Sequence, residues 1–310
     1  DMDICGEIIL VPNCNPIGTN IKAGEYTLGR FDPVNGTNWN RGYFFDKEAV
    51  EHFAKTVTRE ESIEGIKQRF RAHLSNAIDN KLAEPWGLGL AQQLNLKLQQ
   101  MAVNADFVLD LHNGPVSTRH VYIPEYAKDS AKLFNIPHCI FIPNVFAGAL
   151  DEATFCPWWT LQESIKTNLA REVSFNVEAF TLEMGSQEVI DFNEGNIDAT
   201  SILSYLNAKG VLHECDIKPT EMKRLGVYLK DYKTLFTNWG GMVEYMAKPG
   251  QTVKKGEPLA QILNIDDLDT DNGSRTLEAP CDLIPILHFP SASVLSGTQL
   301  YKVFTNYREL

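Results

Sequence analysis

Two short runs in this chain place a titratable side chain where an apolar strand ends. The first is Asp110-Leu111-His112, which closes the run Phe107-Val108-Leu109 ahead of Asn113-Gly114. Strand alternation puts Asp110 and His112 on the same face, so the carboxylate can orient or polarise the imidazole. A histidine satisfied locally at a strand end is the alternative. The second run is Thr181-Leu182-Glu183-Met184-Gly185. A glutamate inside an apolar run is costly to bury unless it is paired or used, and a carboxylate held partly dry suits a general base that activates water. At a solvated sheet edge the same residue needs no such role.

A third group lies in a Gly-rich loop, where Gly29-Arg30-Phe31 is followed by Asn38-Trp39-Asn40-Arg41. Two arginines and an asparagine can cradle a carboxylate, because Arg offers a bidentate fork and Asn a neutral donor. Surface ion pairing is the competing reading, with Asp32 and Asp46 as ready partners. Glu64, Glu194, His52, His73, His138, His213 and His288 show no spacing that marks a site. There is no Gly-x-Ser-x-Gly elbow, P-loop or Gly-x-Gly-x-x-Gly, so serine hydrolase, NTPase and dinucleotide-binding readings lack support.

The elements that must position these residues alternate between strand and helix. Ile8-Ile9-Leu10-Val11, closed by Pro12, reads as a buried strand. The irregular stretch from Asn13 to Arg41 is of a length that is usually functional. One helical pattern runs from Asp46, its N-cap, to about Leu82, with Val50, Phe53, Ala54 and Val57 on one face. A second covers Leu88 to Met101. Strands are expected at Phe107–Leu111, His120–Ile123, Cys139–Ile142 and Ala179–Met184. Further helices are expected at Ala127–Phe134, from Trp158 to Arg171, and from an Asn196 cap to Ala208 before Gly210. This alternation predicts an α/β layer architecture with a largely parallel or mixed sheet.

After about Tyr232 the helical periodicity stops. Two copies of a V-x-x-G-x-x-L frame follow, Val253–Leu259 and Val294–Leu300, each preceded by a strand-like stretch, Met242–Met246 and Leu283–Leu287. They imply two interlocking halves of a small β-sandwich, with the Gly permitting a tight turn. Lipoyl and biotinyl carrier domains share that pattern, but they present a lysine between the halves. The linking stretch from Asn264 to Leu277 has none, which excludes a carrier role.

The composition sets the outer bounds. Of 310 residues, 44% are hydrophobic and 22% charged, ordinary for a globular chain of two domains with a boundary near residue 230. No apolar run approaches the ~20 residues of a membrane helix, and no basic-then-apolar leader opens the sequence. Lys plus Arg total 28 against 40 Asp plus Glu, a net charge of −12 that disfavours nucleic acid or an anionic membrane as a partner. The six cysteines form no CxxC pair and read as mostly reduced core residues of a cytoplasmic protein.

Together the motifs resemble the succinylglutamate desuccinylase/aspartoacylase family, a branch of the zinc carboxypeptidase clan. The resemblance rests on Asn15-Pro16-Ile17-Gly18, Gly29-Arg30-Phe31, Asn38-Trp39-Asn40-Arg41, Asp110-Leu111-His112, Thr181-Leu182-Glu183-Met184-Gly185 and the tail from Trp239-Gly240-Gly241 to Val303. It implies a mixed-sheet, carboxypeptidase-like catalytic domain over residues 1–230 and an all-β barrel-sandwich-like domain over 231–310. It also implies roles: His112 as a zinc ligand, Glu183 as general base and acid, Arg30 on the scissile carbonyl, and Asn40 and Arg41 on the substrate carboxylate; Asp110 keeps the orienting role that strand alternation gives it. The family's other two zinc ligands sit in a His-x-x-Glu motif that occurs nowhere in this sequence. Together with the start at Asp1, that departure creates the expectation that an N-terminal segment is missing.

The resemblance implies a Zn2+-dependent deacylase for a small carboxylate-bearing amide such as an N-acyl amino acid. A metallocarboxypeptidase acting on peptides and a metal-free binding protein are the alternatives. Homo-oligomer formation is a further possibility.

Overall fold

The computed structural model describes residues 3–23, 26–27, 29–213, 216–270 and 273–310. Asp1 and Cys215 lie outside the described residues. The main helices are α1 (Lys47–Ala54), α2 (Ile63–Leu82), α3 (Leu90–Ala102), α4 (Leu150–Leu169) and α5 (Phe192–Ala208). The main strands begin with β1 (Phe107–Gly114), β2 (Val116–Ser117), β3 (His120–Pro124), β4 (His138–Ile142), β5 (Glu178–Ser186) and β6 (Leu225–Tyr228). They continue with β7 (Tyr232–Phe236), β8 (Gly241–Tyr245), β9 (Pro258–Leu263) and β10 (Ser274–Glu278). The last are β11 (Ile284–His288), β12 (Ser293–Val294), β13 (Gln299–Phe304) and β14 (Arg308–Glu309). The expected α/β class is present, with a mixed central sheet in the order β14-β6-β4-β3-β5-β1. β3, β4 and β6 run parallel, whereas β5 is antiparallel to β3 and β14 is antiparallel to β6.

The chain divides into two compact units. One comprises Ile9–Asp110 and Asn144–Phe180. Its largest core joins Val50, Phe53, Ala54 and Val57 to Ile66 and Phe70 of α2 and Trp158, Leu161 and Ile165 of α4. The face predicted for 46–57 is therefore the buried one. The other unit comprises Asp1–Ile8, Leu111–Pro143 and Thr181–Leu310. It holds most of the central sheet and two four-stranded sheets, β7-β13-β11-β2 and β10-β9-β8-β12.

The two V-x-x-G-x-x-L frames form matching turns. Gly256 and Gly297 have φ of +84° and +86°, a conformation open to Gly at no steric cost. Each turn leads into a strand, β9 or β13. The first and last residues of both frames are buried: Val253, Leu259, Val294 and Leu300 all lie in one core.

Four expectations need correction. Ile8–Val11 is not a buried strand. It has no regular structure, and Leu10 is 74% exposed. An apolar run gives only propensity, and no described strand pairs with this one. The helix expected over 46–82 is two helices. Ser62 caps α2 by accepting from Gly65 N at 3.1 Å, and Asp46 caps α1 by accepting from Ala49 N at 2.9 Å. α4 starts at Leu150 rather than Trp158, with Pro157 inside it. Pro removes one ladder bond, but Ala153, Phe155, Cys156 and Trp158 are all buried, and their packing holds the helix through that position. Finally, α5 is capped by Asp191, whose side chain accepts from Asn193 N and Glu194 N, and not by Asn196. The five described cysteines are free as expected, but only Cys139 and Cys156 are buried.

Candidate functional site

In the unit built from 9–110 and 144–180, the Asn15-Pro16-Ile17-Gly18 motif supports the loop that carries Arg30. Asn15 Nδ2 donates to Gly29 O at 2.6 Å, while its Oδ1 accepts from Gly18 N at 2.9 Å. Gly18 is required because a Cβ there would stand 2.2 Å from Gly29 O. Gly18→Ala should therefore cost about 1–3 kcal/mol through overpacking, seen as a lower denaturation midpoint. An unchanged midpoint would contradict this packing.

Arg30 is exposed, with its guanidinium 5.6 Å from the Phe31 ring centre. Its carbonyl accepts from Trp39 N at 3.0 Å, which ties Arg30 to the Asn38–Arg41 stretch. Asn40 Oδ1 accepts from Leu150 N, the first residue of α4, at 3.1 Å. Arg41 O accepts from the side chain of buried Asn95 at 2.7 Å, and Arg41 Nη1 donates to Asn40 O at 2.6 Å. The candidate ion-pair partners serve elsewhere. Asp32 accepts from Val34 N at 2.8 Å, and Asp46 caps α1. Among the described residues neither Arg30 nor Arg41 has a carboxylate within ion-pair reach. Asp110 is buried, and its charge adds to burial in raising the Cys14 thiol and the Tyr43 phenol.

The other unit holds His112 and Glu183. His112 is half-buried near the end of β1, and Glu183 is half-buried on the neighbouring β5. Glu183 pairs in register with His120 of β3, and His120 with His138 of β4. Nothing in the linear sequence marks His120, because its partnership with Glu183 exists only through this register. It is fully buried, as is Glu183 Oε2. Glu194 and Asp198 both engage Arg119: Arg119 Nε donates to Asp198 Oδ1 at 2.6 Å, which ties α5 to the segment before β3.

Burial lowers the pKa of His138 to about 4, against an ordinary value of 6.5. The unfolded chain thus binds this proton more readily than the fold does. Stability should fall by up to about 3 kcal/mol as pH drops from about 6.5 to 4. His138→Gln should flatten that slope in denaturation midpoints measured across this range. An equally steep slope in the variant would reject His138 as its source.

A catalytic zinc needs about three protein ligands. Among the described residues no three His, Cys, Asp or Glu side chains form such a group. The described residues by themselves do not fit the metal. Among them, too, no helix is long and apolar enough to cross a membrane.

The sequence matches the succinylglutamate desuccinylase/aspartoacylase catalytic domain model over residues 1–208. Solved structures of two proteins of this type are similar. The one from Shewanella frigidimarina NCIMB 400 shares 45% identity with a TM-score of 0.89, covering 96% of this chain and 79% of that one. The one from Shewanella amazonensis SB2B shares 44% identity with a TM-score of 0.90, covering 96% and 81%. A succinylglutamate desuccinylase/aspartoacylase from Rhodobacter sphaeroides, at 15% identity and TM-score 0.57 over 91% and 71%, shares the fold. No curated protein matches.

Proposed function

The chain belongs to the succinylglutamate desuccinylase/aspartoacylase family, and on that premise we propose that it hydrolyses the amide bond of a small N-acyl amino acid. The observation that carries this reading is Glu183, a half-buried carboxylate on β5 directly after the buried run Ala179–Leu182, with one oxygen inaccessible to solvent. Glu183 takes a proton from the attacking water and returns it to the departing amine. Arg30 polarises the scissile carbonyl and stabilises its developing negative charge. Asn40 and Arg41 hold the substrate carboxylate; Asn95 fixes the Arg41 backbone carbonyl, and Leu150 N at the start of α4 fixes the Asn40 side chain through its Oδ1. With a net charge of −12, attraction for an anionic substrate comes locally from Arg30 and Arg41.

Zinc is the proposed metal, with His112 as one ligand and Asp110 orienting it. No step above is assigned to the metal. Residues 231–310 are proposed as a separate β domain that restricts the substrate to small amides. A cytoplasmic setting fits the free cysteines.

The test is a comparison of amine release from N-succinyl-L-glutamate, N-acetyl-L-aspartate and unblocked peptides. Turnover of an N-acyl amino acid over peptides is expected. Preference for peptides would favour a carboxypeptidase instead, and binding without turnover a non-catalytic protein.

A further inference from the structure

Three adjacent strands of the central sheet line up three titratable side chains: Glu183 on β5, His120 on β3 and His138 on β4. Residues directly opposite across strands share a face, with Cβ atoms about 4.5–5.5 Å apart. His120 therefore sits between Glu183 and His138. Residues of the β7-β13 pair cover this row. The ring centre of Tyr232 lies 6.3 Å from that of His120, and Phe304 lies 5.8 Å from His138.

The tautomer of His120 follows from its partner. His120 Nδ1 is 2.9 Å from the carbonyl oxygen of Thr118. A carbonyl only accepts, so Nδ1 carries the hydrogen and Nε2 carries a lone pair. Complete burial lowers the pKa of His120 and keeps the ring neutral; the Glu183 charge opposes this and the Lys302 charge adds to it. His120 Nε2 and Glu183 Oε2 are both buried, and neither has a hydrogen-bond partner among the described residues. The Tyr232 phenol is held protonated by burial and by its neighbours Tyr122 and Glu183. The other titratable or charged groups around the pair are Tyr122 on β3, His138 on β4, Tyr232 on β7 and Lys302 on β13; His112 lies on β1, beyond β5.

The geometry points to His120 as a positioning residue for Glu183, one that favours the glutamate in its proton-carrying form. An acceptor nitrogen offers no hydrogen bond to a carboxylate oxygen. It offers a good one to the same group once that group carries a proton. Buried polar atoms without a partner are costly, so the arrangement is best satisfied after Glu183 has taken the proton of the attacking water. The carboxyl torsion is soft and two-fold, so either oxygen can present the O–H to Nε2. The same proton then leaves with the amine nitrogen as the C–N bond breaks, and Glu183 returns to its starting state. This inference rests on the reading of Glu183 as the base.

Two measurements on the full chain separate the inference from that reading. In His120→Gln, the amide can donate to the carboxylate and so favours the form without a proton. With N-succinyl-L-glutamate or N-acetyl-L-aspartate as probe, kcat should fall on the order of tenfold while KM stays unchanged. The second measurement needs no turnover. In protein labelled with 15N-histidine, the Nε2 signal of His120 should move with pH as Glu183 gains its proton, and Glu183→Gln should abolish that movement. A folded His120→Gln protein with wild-type kcat, or an Nε2 signal that titrates identically in Glu183→Gln, would overturn the inference. Should His120→Gln not fold, the spectroscopic result decides alone. Full activity in Glu183→Gln would instead overturn the reading of Glu183 as the base.

Discussion

Glu183→Gln is expected to reduce kcat for N-acyl amino acid hydrolysis by about 10³-fold and leave KM nearly unchanged. The substitution preserves volume and polarity and removes the ability to take up a proton. Its loss should therefore appear in the chemical step and not in substrate binding. The fold should survive, because β5 is held by backbone pairing to β3 at Thr181, Leu182 and Glu183. The substitution also puts an amide donor at the strand position paired with His120, whose Nε2 has no partner among the described residues in the native chain. Thermal stability at or above that of the native protein, together with lost turnover, is the expected signature. Comparable loss of stability and activity would show that Glu183 is structural.

Arg30→Ala is expected to cost about 10²–10³ in kcat, the usual effect of removing one donor to a developing oxyanion. Arg30→Lys should restore only part of it, because an ammonium lacks the planar fork of the guanidinium. Arg41→Ala should behave differently. Losing a charge-assisted bond of about 1.5–3 kcal/mol to the substrate carboxylate should raise KM by about 10–100-fold with little change in kcat. Both arginines are exposed, so stability should stay within about 0.5 kcal/mol of the native value. Equal effects of the two alanine variants on KM and kcat would remove the distinction between carbonyl and carboxylate roles.

Features carried by local chemistry were legible in the sequence. The strands bearing His112 and Glu183 are apolar runs bounded by Gly114 and Gly185. The paired turns of the tail were visible because Gly256 and Gly297 recur in one frame and need a left-handed backbone. What the sequence hid was non-local. Ile8–Val11 has the composition of a strand, but a strand is made by a partner, and no described strand pairs with it. Pro157 signals a helix start, yet burial of Phe155 and Trp158 carries α4 across it. His120 looked like an unremarked residue at the head of a strand. Only the pairing of three strands, from distant parts of the chain, places it beside Glu183. The arginine loop lay between these extremes. Its motif residues were evident, but the reason for Gly18, its closeness to Gly29 O, is a tertiary fact.

The central claim is that this chain hydrolyses an N-acyl amino acid, with water activated by Glu183. It is tested most directly by running turnover of N-succinyl-L-glutamate and N-acetyl-L-aspartate in H218O, with native and Glu183→Gln proteins side by side. Native protein should release the free amino acid with one 18O in the liberated acyl carboxylate, and Glu183→Gln should release almost none. Release without 18O in the acyl product, or equal release by the two proteins, would contradict it.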